Sequence, residues 1–196
     1  AHLIRYADDF VIVFANEADA HRVVAVLPKR FARYGLALHP DKTRLIAFGR
    51  TQGLTAGKDG GKPPTFDFLG LTHYWGRSRK GTLVVKRKTA RKRQSRALKR
   101  VAEWCKRNRH LPVDQQQRHL AAMLLGHYGY FGVTGNNRAL GAFWYQVKSI
   151  WHVWLRRRSQ RRRLTWEGFA RLLKRYPLPL PKIVHSIYRP QANPCS

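Results

Sequence analysis

Near residue 88 this sequence changes period, and that change limits the folds open to it. Before that point the apolar residues come in short β-branched and aromatic runs, "HLIRYA", "FVIVFA", "TFDFLGLTHYW" and "GTLVVKRK", the pattern of strands. Beyond it they recur three and four residues apart. In "TARKRQSRALKRVAEWCKR" Leu98, Val101, Ala102 and Cys105 line one helical face, and Arg or Lys covers most of the remainder. The division predicts an α+β fold: antiparallel strands with one helix over residues 1–88, an all-α basic bundle over 89–188, and a tail, 189–196.

In the first part Asn16 is placed to cap a helix whose first turn carries Glu17 and Asp19. Val24, Leu27, Phe31 and Tyr34 would form its buried face, and Gly35 would stop it. "LALHPDKTRLIAFG" reads as an extended piece, a Pro-Asp turn and an apolar strand. Residues 50–64 are rich in Gly and Pro and read as a loop. "TFDFLGLTHYW" and "GTLVVKRK" read as a hairpin around "GRSRKG". In the second part helices are expected over 89–109, 113–125 and 138–157, the last with Leu140, Phe143, Trp144, Val147, Ile150, Trp151 and Trp154 on its stripe. "TWEGFARLLKRY" adds a fourth, capped by Thr165, burying Trp166, Phe169, Leu173 and Tyr176 and ended by "PLPLPK".

Charge divides the chain too. The 196 residues hold 39 Lys and Arg against ten Asp and Glu, net +29. Residues 1–50 contain eight basic and five acidic side chains; the rest contain 31 and five. The second part should therefore meet a polyanion, and its aromatics favour nucleic acid over lipid. A generic basic protein of the ribosomal kind is the blander reading of the same composition. No run of eighteen apolar residues offers a membrane span, and nothing at the amino end resembles a signal or transit peptide. Cys105 and Cys195 lie far apart and outside any paired motif, which points to a reducing, cytoplasmic setting and to no zinc site.

Against that background "RYADDFVIVF", residues 5–14, sets Asp8 beside Asp9 between apolar runs. Paired aspartates can serve simply as turn formers. An ionised carboxylate beside buried strands otherwise needs an arginine, solvent or a divalent cation. Two hard carboxylates held on strands suit Mg²⁺, which takes one or two protein carboxylates together with substrate phosphates.

Several spellings are more specific. "YADD" between apolar strands resembles the catalytic hairpin of reverse transcriptases. "LHPDKT" resembles the motif that follows the palm helix, and "FDFLG" the primer-gripping hairpin. "GHYGYFGVTGN", "RRRSQRRRLTWEGF" and "IVHSIY" resemble the maturase-specific thumb domain of group II intron reverse transcriptases, so that the likeness extends over nearly the whole chain. It implies a partial right-hand polymerase palm followed by a thumb/maturase helical bundle. It also implies RNA-directed DNA polymerase chemistry with two Mg²⁺ ions, which activate the primer 3′-hydroxyl and stabilise the departing pyrophosphate.

By that resemblance Asp8 ligates the metals directly and Asp9 supports it, while Tyr6 and Ala7 lie beside primer and nucleotide. Lys42 stands near the leaving phosphates, or is a solvated turn lysine. Phe68, Leu69 and Gly70 hold the primer backbone, Gly70 by permitting close approach, unless Phe68 and Leu69 are ordinary hairpin core. The family's third carboxylate and its fingers precede YADD and have no counterpart here; Asp41, Asp59 and Asp67 are not evident substitutes. Residues 1–196 are thus expected to be a partial chain that does not polymerise alone. Without the Cys/His spacing of a carboxy-terminal nuclease, DNA cleavage is not expected.

In the basic part the candidates for phosphate contact are Arg93, Arg96, Lys99 and Arg100, then Arg156, Arg157, Arg161 and Arg162 in "RRRSQRRR". A charge run is otherwise a solvated face. Tyr128 and Tyr130, interleaved with Gly126, Gly129, Gly132 and Gly135, are candidates to stack on unpaired bases from a flexible segment, or to seal the core with Phe131. His127, His152 and His185 show no ligand spacing. The implied partners are structured group II intron RNA, primer–template RNA/DNA and dNTP, with no membrane. Two functions stay open: the palm and thumb of a polymerase, or a non-catalytic maturase module that binds intron RNA and assists splicing. A retron-type polymerase is a third, weighed down by the maturase-like segments from 126 to 188.

Overall fold

The computed structural model describes residues 1–50, 63–158 and 164–187. These form a mixed α/β structure with small antiparallel sheets and five helices. The chain divides into two compact units, Ala1–Leu69 with His73–Val85, and Gly70–Thr72 with everything from Lys86 onward.

In the first unit strands β1 (His2–Tyr6) and β2 (Asp9–Val13) pair antiparallel, from Tyr6 opposite Asp9 to His2 opposite Val13. Helix α1 (Glu17–Ala32) starts where Asn16 Oδ1 accepts from the amide of Ala18. It ends in a Schellman closure, with Leu36 N–H donating to Phe31 C=O and Gly35 N–H to Ala32 C=O. Gly35 has φ +66°, which a side chain would strain. The inward face of α1 is Ala20, Val23, Leu27 and Phe31 rather than the stripe expected from sequence; Val24 and Tyr34 are exposed. The two stripes share Leu27 and Phe31, whose ring meets Phe10 of β2 edge-on at 6.1 Å; they differ in Val23 replacing Val24, and Tyr34 lies beyond the helix end at Ala32.

The strand expected within 44–49 does not form. The Pro-Asp turn does, with the amides of Lys42 and Thr43 on His39 C=O. Phe48 is then fixed by rings instead of a ladder: its carbonyl accepts from Trp75 Nε1, and its ring packs on Trp75 and on the edge of Phe66. Strands β3 (Thr65–Phe68), β4 (Leu71–Arg77) and β5 (Leu83–Thr89) form a sheet in that order. The expected β4–β5 hairpin is present, and "TFDFLGLTHYW" folds as a hairpin of its own. The 50–64 loop lies almost wholly outside the described residues.

The second unit contains α2 (Arg91–Arg107), α3 (Val113–Phe131), α4 (Asn137–Arg156) and α5 (Trp166–Arg175). Its core is closed off from the surface. Leu120, Leu124, Tyr128, Leu140, Trp151 and Phe169 have no exposed surface, and Val101, Phe143 and Val147 have almost none. Each such side chain contributes about 1.5–3 kcal/mol of apolar burial. Two buried amide side chains, Gln116 and Asn136, are paired, whereas His127 Nε2 has no partner among the described residues. Trp151 Nε1 donates to Gln116 Oε1, whose amide donates to the carbonyls of Arg109 and Leu111. Asn136 accepts from Thr89 N–H and donates to Thr89 Oγ1 and Phe131 C=O.

Two expectations change here. Helix α3 runs six residues past 125, so Gly126, Tyr128 and Gly129 are helical rather than part of a flexible segment. Continued burial along Leu120, Leu124 and Tyr128 outweighs the roughly 1 kcal/mol that each helical glycine costs. Trp166, at the exposed start of α5, is half exposed beside His152, while Phe169 takes the interior position. The segment 177–187 is laid along α3. Pro177 C=O accepts from Gln117, Pro179 C=O accepts from Tyr128 Oη, and Gly132 C=O accepts from the amides of Val184 and His185.

Candidate nucleic-acid interface

The YADD segment turns in two residues, Ala7 and Asp8, between paired Tyr6 and Asp9. Ala7 has φ +52°, a left-handed conformation uncommon outside glycine, asparagine and aspartate. The Arg5 guanidinium helps hold it, since Arg5 Nε donates to Ala7 C=O at 2.8 Å. Arg5 is the one residue of this turn that sequence reasoning passed over; its signal was a long donor two positions before the turn.

Tyr6, Ala7, Asp8 and Asp9 are all exposed. The ion pairs among the described residues join His21 to Glu17, Arg22 to Asp19 and Arg118 to Asp114, so neither Asp8 nor Asp9 is neutralised by an arginine. No group of three His, Cys, Asp or Glu that could hold a metal occurs among the described residues. Two adjacent exposed carboxylates nevertheless fit the one-or-two-carboxylate mode in which Mg²⁺ is held alongside phosphates.

The other palm candidates are spread over separate turns. Lys42 is exposed in the Pro-Asp turn. Leu69 and Gly70 form the two-residue turn between β3 and β4, with φ +50° and +73°, the signs of a type I′ turn, which normally carries Asn or Gly first. Phe68 and Leu69 are half-buried. In the second unit Gly70 has a structural reason of its own: a Cβ there would lie 3.3 Å from Phe131 Cε1 and 3.5 Å from Arg93 Cγ. Its C=O accepts from Ala90 N–H.

Arg93, Arg96, Lys99 and Arg100 are exposed on α2, and Arg93, Arg96 and Arg100 share one face. Arg156 and Arg157 are exposed where α4 ends, with the Arg157 guanidinium 4.9 Å from the Trp154 ring centre. Arg161 and Arg162 lie outside the described residues. Tyr128 is not a base platform. It is fully buried with its hydroxyl on Pro179 C=O, and burial pushes its ionisation well above the usual tyrosine range. Tyr130, two residues on, is exposed.

Residues 1–73 match the family model of reverse transcriptase (RNA-dependent DNA polymerase). The match spans β1, β2, α1 and β3, ending at the start of β4, and so includes YADD, "LHPDKT" and "FDFLG". It supports a reverse transcriptase affiliation of the RNA-directed DNA polymerase kind. No curated protein and no solved structure matches the chain. Among the described residues no helix is long and apolar enough to cross a membrane.

Proposed function

We propose that the chain carries the YADD half of a polymerase palm and the thumb/maturase domain of a group II intron reverse transcriptase. The observation that carries this reading is the coincidence of the family match with an exposed, unpaired Asp8–Asp9 turn. Asp8, supported by Asp9, would hold Mg²⁺. Magnesium bound there would supply Lewis-acid stabilisation of the attacking and leaving oxygens. Ala7, with only a methyl group, leaves room for a strand and a dNTP, and Tyr6 offers an exposed ring beside them. Lys42 would place positive charge near the leaving phosphates. Primer extension on an RNA template tests the assignment in a chain that supplies the remaining palm carboxylate. Asp8→Ala should lower the rate at least about a hundredfold, the scale of losing a preorganised charge partner. An Asp8→Ala protein as active as wild type refutes it.

The second unit supports the binding half of the reading. It carries Glu103, Asp114 and Glu167 as its acidic side chains among the described residues, against an excess of arginines. We assign it to structured intron RNA and to the primer–template duplex. If about six to ten phosphates are contacted, affinity for RNA should fall roughly 10³–10⁵-fold between 50 and 200 mM salt. A flat salt profile refutes a phosphate clamp.

A further inference from the structure

Helices α2, α3 and α4 enclose a cleft of about 380 Å³ in the second unit. One wall is cationic: Arg93, Arg96 and Arg100 line it, no carboxylate does, and none of the three enters an ion pair among the described residues. The other wall is aromatic. Tyr130 meets Phe131 edge-on at 4.7 Å, and His127 lies flat on Phe143 at 3.8 Å and tilted against Phe131 at 4.7 Å.

Two features set this cleft apart from a solvated charge stripe. Gly70 lies close behind both walls, because a Cβ there would be tight against Phe131 Cε1 at 3.3 Å and in van der Waals contact with Arg93 Cγ at 3.5 Å. The fold also leaves a polar atom unsatisfied in the lining: His127 is buried and its Nε2 has no hydrogen-bond partner among the described residues, a rare condition in a folded core. Burial lowers this imidazole to a pKa of about 4, so it is neutral at pH 7 and the ring stack adds no charge to the cleft. A volume at the small end of ligand sites admits one planar ring with its attached phosphate and excludes a duplex.

We propose that this cleft is a subsite for a single unpaired nucleotide of an RNA strand, its base on Tyr130 and Phe131 and its flanking phosphates on Arg96 and Arg100. The proposal rests on the RNA-binding half of the reading above and deepens it, by naming the place where one base leaves the helical stack. Guanidinium groups suit phosphate by their fork geometry, and exposed rings stack on any base.

The test uses the full 196-residue chain and three RNA duplexes: one with a single bulged adenosine, one with an abasic bulge, and one without a bulge. The adenosine bulge should bind roughly tenfold tighter than the abasic bulge, the scale of one base–aromatic stack. A 2-aminopurine in the bulge should be quenched on binding. Tyr130→Ala should abolish the preference while keeping the affinity for the unbulged duplex, and Tyr130→Phe should restore it. Arg96→Ala with Arg100→Ala should weaken the bulged duplex more than the unbulged one. Equal affinity for both bulges, with salt-steep duplex binding retained, overturns the subsite and leaves the RNA-binding reading standing. Absence of salt-steep binding to any of the RNAs overturns both. Free AMP bound as tightly as the bulged duplex overturns the strand as the source of the nucleotide.

Discussion

The two units reach their folds by different means. In the first, Ala20 is the only described residue that is fully buried, while Leu3, Ile4, Tyr6 and Val13 of the hairpin are at least half exposed. In the second, a twelve-residue core from Val101 to Leu178 is closed to solvent and its buried amides and indole are hydrogen-bonded. A two-stranded hairpin is marginal in water without a packed face, whereas helices that share a packed core stabilise one another. The paired aspartates thus sit on a lightly anchored turn, and the arginines of α2 sit on a well-packed frame.

That contrast can be broken most forcefully at Trp151. Trp151→Ala removes a fully buried indole and leaves the Gln116 carbonyl oxygen without its donor. A loss of about 3–5 kcal/mol is expected in denaturant melts. Asn136→Ala comes next. It strands the Thr89 amide and the Phe131 carbonyl in a buried site, for about 1–3 kcal/mol. If either variant leaves the helical transition unmoved, the second unit is not held as described.

Protonation sharpens the comparison. Burial lowers His127 from 6.5 to about 4, so between those values the unfolded chain binds the proton and the folded unit does not. Stability from this group is complete above pH 6.5 and is lost as pH falls toward 4. His127→Phe should flatten the melting temperature of the second unit across that window, and an unchanged pH slope would exclude His127 as its source. The smallest effect belongs to the first unit. Leu3→Ala should change stability by no more than about 0.5 kcal/mol, as for other surface substitutions. Hydrogen exchange should show the β1–β2 amides opening well before those of α3 and α4.

What could be read from the sequence was whatever depends on local order. Asn16 and Thr165 as helix caps, Gly35 as a stop, the Pro40–Asp41 turn and the stripe through Val101 and Cys105 each follow from a few neighbouring residues. YADD was legible as a motif for the same reason, and residues 1–73 match a reverse transcriptase model.

Other features required the assembled chain. The burial of Tyr128 against Pro179 and the exposure of Trp166 depend on which partner arrives from far along the sequence. So does the cleft, whose arginines and aromatics lie about thirty residues apart. A helix expected to stop at 125 does not carry the spacing of Leu120 and Leu124 on to Tyr128; once α3 extends to Phe131, Tyr128 falls on that buried stripe and Tyr130, about 200° round the helix, does not. Tyr128 is then enclosed by the helical core and by residues 177–187, with its hydroxyl on Pro179 C=O, while Tyr130 stays exposed, because burial depends on the neighbours a side chain acquires as well as on its own place in the chain.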